Sequence, residues 1–155
     1  MKYRQLTKEQ LESLNKEFAQ FLASQEIDVK EWKKIKEENP ALVEEELNLF
    51  SDMVWEDVLI RVEFLEHYAS KTINLFKCNE RSLQRIVIST EKEVDFLTKE
   101  GYEWLLKNPS DAAIEYFTGE KEYEKERNSE IFSLIEQGSI ITKGELFEFF
   151  SKLIK

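Results

Sequence analysis

Five carboxylates recur at spacings that keep them on one side of a helix. Glu45, Asp52, Glu56, Glu63 and Glu66 are separated by 7, 4, 7 and 3 residues. Such a row either attracts and registers a basic partner, or holds a cation and moves protons. The run around them, residues 37–70, has ten acids and one base, Arg61, so it carries −9 of the chain's net charge of −10. An ordinary exposed helix interleaves signs to form i,i+4 pairs, and this one mostly does not. The plain alternative is a solvated helix surface.

Other chemistry has little material. A di-iron carboxylate site also uses Glu-x-x-His motifs on two helices. Here His67 is the only imidazole, and the nearest pattern, Glu63-Phe-Leu-Glu66, ends in Glu. No EF-hand spacing is present. No metal site and no cofactor are expected. An Mg²⁺ site, however, needs only one or two carboxylates plus substrate oxygens. A small carboxylate-dependent enzyme, with Glu56 or Glu63 lining a cleft, therefore stands as the alternative function. Cys78 and His67 are the only thiol and imidazole. They fall in different predicted elements, and Cys78 reads as a buried structural thiol. With four glycines the chain offers no phosphate-binding loop, nucleophile elbow or dinucleotide fingerprint.

Basic residues gather twice. Lys30, Trp32, Lys33, Lys34 and Lys36 form one patch; Lys77, Arg81 and Arg85 form the other. These are the places where a local RNA contact would fall. The net charge opposes phosphate backbones, so direct nucleic-acid contact is not expected. The ordinary reading is that these bases solvate the surface or pair with the acidic strip.

The elements that must position these residues read mostly as helices. Thr7 and Gln10 form a capping box, and Leu11, Leu14, Phe18, Phe21 and Leu22 give the first helix its apolar stripe up to Ser24-Gln25. Asp28 caps a second helix that stops at Asn39-Pro40. A third starts at Pro40 and is expected to run to about Ala69. Along it Leu47, Phe50, Val54, Val58, Val62, Leu65 and Ala69 share one side, with Leu49, Met53, Ile60 and Phe64 roughly opposite. A helix apolar on two sides is a central helix, and the acids occupy the flank between. A kink at Ser51-Asp52 would blur that flank.

The pattern then alternates. Residues 72–77 and 83–88 flank the turn Asn79-Glu80-Arg81-Ser82, with Val94-Asp95-Phe96 as a third strand. Thr98 caps a helix that ends at Asn108-Pro109. Residues 110–119 give no clear pattern. A charged helix over 120–137 ends at Gly138, and Thr142 with Glu145 is read as a capping box for a last helix. In that helix Leu146, Phe147, Phe149, Phe150, Leu153 and Ile154 supply a core face. The part near Phe147 or Phe150 would be left for a partner or a second copy.

The whole reads as one α+β domain over residues 1–155, mostly helical, with a long central helix and a two- or three-stranded antiparallel sheet. One cysteine, no signal-peptide core and no apolar run of membrane-spanning length place it in the cytoplasm, with no membrane partner.

The stretches Asn39-Pro-Ala-Leu-Val-Glu-Glu-Glu-Leu47, Asn48-Leu-Phe-Ser-Asp-Met-Val-Trp55, Leu75-Phe-Lys-Cys-Asn-Glu80, Trp104-Leu-Leu-Lys-Asn-Pro109 and Gly119-Glu-Lys-Glu-Tyr-Glu-Lys-Glu-Arg127 together resemble a small bacterial family. That family is known only as a domain of unknown function. The resemblance implies a compact cytoplasmic bacterial protein and brings no catalytic residues. The expected function is a non-catalytic accessory protein. It would dock through the acidic flank on a basic protein, or on an assembly rich in basic proteins such as the ribosome.

Overall fold

The computed structural model describes residues 1–155, which divide into two compact units, Met1–Ile60 and Arg61–Lys155. The first unit is helical: α1 (Lys8–Ser13), α2 (Asn15–Ser24), α3 (Val29–Glu38) and α4 (Pro40–Ile60). The Thr7/Gln10 capping box opens α1, with both reciprocal bonds present. The expected single first helix breaks at Leu14. Ser13 Oγ donates to the Gln10 carbonyl there, which also accepts the Leu14 N–H at 3.1 Å. Asp28 accepts the Glu31 N–H and caps α3. Asn39 Oδ1 accepts the Leu42 N–H at 3.3 Å, with Pro40 in the first turn of α4.

The core of this unit is aromatic. Phe50 on α4 is fully buried, with the rings of Phe18 at 5.0 Å and Phe21 at 5.4 Å. The Trp32 ring meets Phe18 edge-on at 5.4 Å. Edge-on and tilted pairs of this kind add to what area burial alone gives.

Helix α4 runs unbroken through Ser51 and ends at Ile60, about 30 Å long. The expected continuation to Ala69 is incorrect. Residues 64–68 form a strand, β1 (Phe64–Tyr68). In so short a run helical and strand periods fit equally well, and Phe and Tyr favour the strand.

The second unit is built on a five-stranded antiparallel sheet, larger than the expected two or three strands. It comprises β1, β2 (Thr72–Cys78), β3 (Ser82–Thr90), β4 (Ile114–Glu122) and β5 (Ile140–Thr142), in the order β4-β3-β2-β1-β5. Three helices complete it: α5 (Lys99–Lys107), α6 (Arg127–Glu136) and α7 (Glu145–Leu153).

Registers fix the faces. Phe64 lies opposite Lys77, Leu75 opposite Ile86, and Ile88 opposite Tyr116. Phe64, Ile73, Leu75, Ile86 and Ile88 thus share one face, which packs with Leu105 of α5 and with Leu146, Phe147 and Phe150 of α7. The other face carries Leu65, His67, Asn74, Phe76 and Arg85.

Three further expectations are corrected. Val94-Asp95-Phe96 is a loop; Phe96 is buried, and its N–H donates to the Ser70 carbonyl at 2.8 Å. The charged helix over 120–137 is replaced by the end of β4 and by α6. The acids of 115–122 disguise a strand whose Ile114, Tyr116, Phe117 and Thr118 have strand preference. Thr142 caps nothing: Gly144, with φ +82°, precedes α7, and Thr142 lies in β5. The expected stop at Gly138 is present. The N–H groups of Gly138 and Ser139 return to the carbonyls of Ile135 and Leu134, the paired bonds of a Schellman motif.

Candidate functional site

The five predicted carboxylates do not share one surface. Glu45, Asp52 and Glu56 are on α4, Glu63 is exposed in the loop that follows, and Glu66 is buried on β1. Glu66 receives the Tyr68 hydroxyl and the Thr142 hydroxyl, the latter at 3.2 Å. Two of the three on α4 bind the chain's own residues 2–3. Asp52 accepts the N–H of Lys2 at 2.7 Å and of Tyr3 at 2.9 Å. Glu56 accepts the Lys2 ammonium at 2.9 Å and the Tyr3 hydroxyl. Glu44 and Asn48 take the Gln5 amide at 3.0 Å each, and buried Ser51 takes the Leu6 N–H at 3.0 Å.

Residues 2–6 thus lie along the charged side of α4 as a strap. Charge-assisted bonds of this kind are among the stronger ones. The Tyr3 hydroxyl is pushed up to about 12, first by burial, then by its bond to Glu56 and that carboxylate's charge, with Lys2 opposing.

The second apolar stripe of α4, expected to be packed, is open. Leu49 is 51% exposed, Met53 49% and Ile60 68%. At 100° per residue these three lie within a 40° sector, beside exposed Glu45. An open aliphatic row next to carboxylates was missed because its spacing is that of a buried stripe.

The basic patches belong to different units and differ in kind. On α3, Lys30, Lys33, Lys34 and Lys36 are exposed, whereas Trp32 packs on Phe18 as core. In the second unit Arg81 is exposed in the β2–β3 turn. The Arg85 guanidinium donates to Asn74 Oδ1 at 2.9 and 2.5 Å and lies over the Phe76 ring. Lys77 reaches Glu148 of α7 at 3.9 Å.

A cleft of about 690 Å³ opens between α6 and the sheet face that carries Arg85. His67, Phe76 and Arg85 line its floor, with Lys121 on β4 and Glu130 on α6. Glu130 Oε1 accepts the N–H groups of Glu124 at 2.6 Å and Lys125 at 3.2 Å, and stands 4.0 Å from the Lys121 ammonium. Its Oε2 is buried with no hydrogen-bond partner. Sequence reasoning missed this cleft because it depends on β4.

Cys78 is buried at the end of β2. Its register neighbour is Leu83 on β3, and His67 pairs with Asn74, so the thiol and the imidazole are not brought together. Burial pushes the thiol up to about 11 against the pull of Arg127. Arg127 is a structural residue that sequence reasoning did not single out. Its guanidinium donates to the carbonyls of Val62, Cys78 and Asn79 at 2.5, 3.1 and 3.0 Å. No three His, Cys, Asp or Glu side chains converge to hold a metal ion, and no helix is long and apolar enough to cross a membrane.

A helical unit followed by a five-stranded antiparallel sheet with three helices defines an α+β protein. The chain belongs to the family of unknown function DUF6495, whose model matches residues 1–155. No curated protein and no solved structure matches it.

Proposed function

We propose that the protein is a non-catalytic accessory protein that docks on a basic partner through α4. The partner is a basic protein, or part of an assembly rich in such proteins, as the ribosome is. The observation that carries this reading is the open stripe Leu49, Met53 and Ile60 beside exposed Glu45. Apolar side chains in a compact patch supply affinity, and adjacent charge supplies steering and register. Asp52 and Glu56 hold the strap and set the shape of the surface. Glu66, being buried, drops out of the contact set.

The test is affinity capture on the immobilised full chain at low and high salt, with the captured protein then purified and rebound. Wild type retains a basic protein at low salt. Leu49→Asp with Met53→Asp loses it, and Glu45→Lys weakens it. The reading fails if no basic protein is retained at low salt, or if these variants retain the same set.

A second reading, a small carboxylate-dependent enzyme, rests on the buried, unpartnered Oε2 of Glu130 in the cleft. On that reading Glu130 acts, in place of Glu56 or Glu63. Isothermal titration with Mg²⁺ tests it: heat of binding that disappears in Glu130→Gln supports it, and no heat with wild type removes it.

A further inference from the structure

We infer that β4 pairs with β4 of a second copy of this chain, antiparallel and centred on Thr118, so that two five-stranded sheets join into one of ten strands. Strand β4 is at the sheet's edge, and its outer side carries no other strand. Eight of its nine residues are not buried, and Phe117 is 54% exposed. A long open edge with an exposed aromatic is unusual, because unpaired backbone groups there invite another strand.

The sequence of the strand selects its partner. In an antiparallel ladder the two residues of an opposed pair turn their backbone groups toward each other or both away, so registers differ in steps of two. With all nine residues overlapped, Thr118 meets Thr118 of the second copy. Phe117 then meets Gly119, Tyr116 meets Glu120, Glu115 meets Lys121, and Ile114 meets Glu122. Glu115, Phe117, Gly119 and Lys121 share one sheet face, as their partners Ser89, Val87, Arg85 and Leu83 require.

The full-overlap register therefore places two unlike charge pairs opposite each other, related by the two-fold axis. It also lays each Phe117 ring over the bare backbone of Gly119, where a Cβ would meet nothing within 4 Å. Opposed unlike charges and an aromatic across a glycine both stabilise strand pairs. One step to either side, Glu115 loses Lys121, facing Gly119 in one register and passing beyond the strand in the other. The same charges that would discourage a foreign strand thus match in self-pairing. The complete overlap supplies about eight to ten backbone hydrogen bonds between copies.

The test is the mass of the purified full chain by sedimentation over a range of concentrations at low ionic strength. The chain is 18.5 kDa, and the expected result is a concentration-dependent dimer of twice that mass. Glu115→Lys and Lys121→Glu each turn two attractive pairs repulsive and weaken the dimer about tenfold or more. The double variant carrying both restores it. Thr118→Cys treated with oxidised glutathione, which takes up the two electrons by exchange and leaves as the thiol, forms a covalent dimer, since opposed Cα atoms in an antiparallel pair lie within disulfide reach. Buried Cys78 is the internal control. Glu115 and Thr118 are exposed, so circular dichroism of Glu115→Lys and Thr118→Cys is expected to match wild type. Lys121 also stands 3.9 Å from Glu124 and 4.0 Å from Glu130 of its own chain, so the loss of dimer in Lys121→Glu counts only if its circular dichroism matches wild type. A monomer at every concentration overturns the inference. So does a dimer that ignores both single reversals, or a double variant no better than the singles.

Discussion

The Asp52 carboxylate accepts the backbone N–H of Tyr3 at 2.9 Å, and its second oxygen accepts that of Lys2 at 2.7 Å. A residue read as a docking carboxylate is thus also a fastener for residues 2–6. Removing it takes away the carboxylate that accepts both N–H groups and loosens a strap that Glu56, Glu44, Asn48 and Ser51 still contact. Asp52→Ala is expected to lower stability by about 2 kcal/mol, within the range for charge-assisted bonds. Glu45→Ala, on the same helix but exposed, is expected to change it by no more than about 0.5 kcal/mol. Urea unfolding of the two variants against wild type checks the contrast, and equal effects would remove the fastener role.

What was legible follows the range of the interaction. Thr7, Asp28, Asn39-Pro40, Thr98 and Gly138 each mark a helix end through groups three to five residues away, and each does so in the structure. Phe50 was legible as core from its stripe. The end of α4 was not, because a run as short as residues 64–68 fits the helical and the strand period equally well. Strand β4 was hidden by its acids. The strap on α4 joins residues about fifty positions apart, and no local pattern announces such a contact. The open stripe of Leu49, Met53 and Ile60 has the spacing of a packed one, so only coordinates separate the two.

Gly101, in the first turn of α5, is a second point of close contact. A Cβ there would stand 1.9 Å from the Asp95 carbonyl oxygen, a backbone atom that cannot rotate aside. The Asp95 carbonyl also accepts the Thr98 hydroxyl, and Thr98 Oγ1 accepts the Gly101 N–H, so the loop and the helix start are tied together. Gly101→Ala is therefore expected to destabilise by about 2–3 kcal/mol, the scale of an overpacked site. In an open helix position the same change would be favourable. A thermal melt with a higher midpoint than wild type would contradict the close approach.

Alkaline pH is expected to weaken the fold. Burial raises the Tyr68 hydroxyl above its usual value, reinforced by its bond to Glu66 and by that residue's charge. Burial also pushes Tyr123 up to about 12 and Cys78 up to about 11. Each group is neutral when protonated, and the folded state holds its proton more tightly than the unfolded one. Between the two values the unfolded state binds fewer protons, so stability falls as pH rises. The contribution is complete below pH 9, the usual thiol value, and is lost progressively above it. Urea midpoints measured from neutral pH upward should decline from there. Tyr68→Phe should show a shallower decline than wild type, and a parallel one would assign the effect to other groups.

Arg127 gathers the carbonyls of Val62, Cys78 and Asn79 with one planar guanidinium, and the Tyr123 hydroxyl shares the Asn79 carbonyl at 2.8 Å. The three carbonyls belong to the segments that enter β1 and leave β2, so the side chain fixes one end of the sheet. A lysine keeps the charge but not the fork, and its single ammonium cannot reach three carbonyls in that fixed geometry. Arg127→Lys is expected to cost about 1–3 kcal/mol, because at least one buried carbonyl is left without a donor. The damage should be local. Amide exchange should speed up near residues 62–63 and 78–82, while the helical unit Met1–Ile60 keeps its protection. If Arg127→Lys unfolds at the wild-type urea midpoint, the guanidinium is not what holds that end of the sheet.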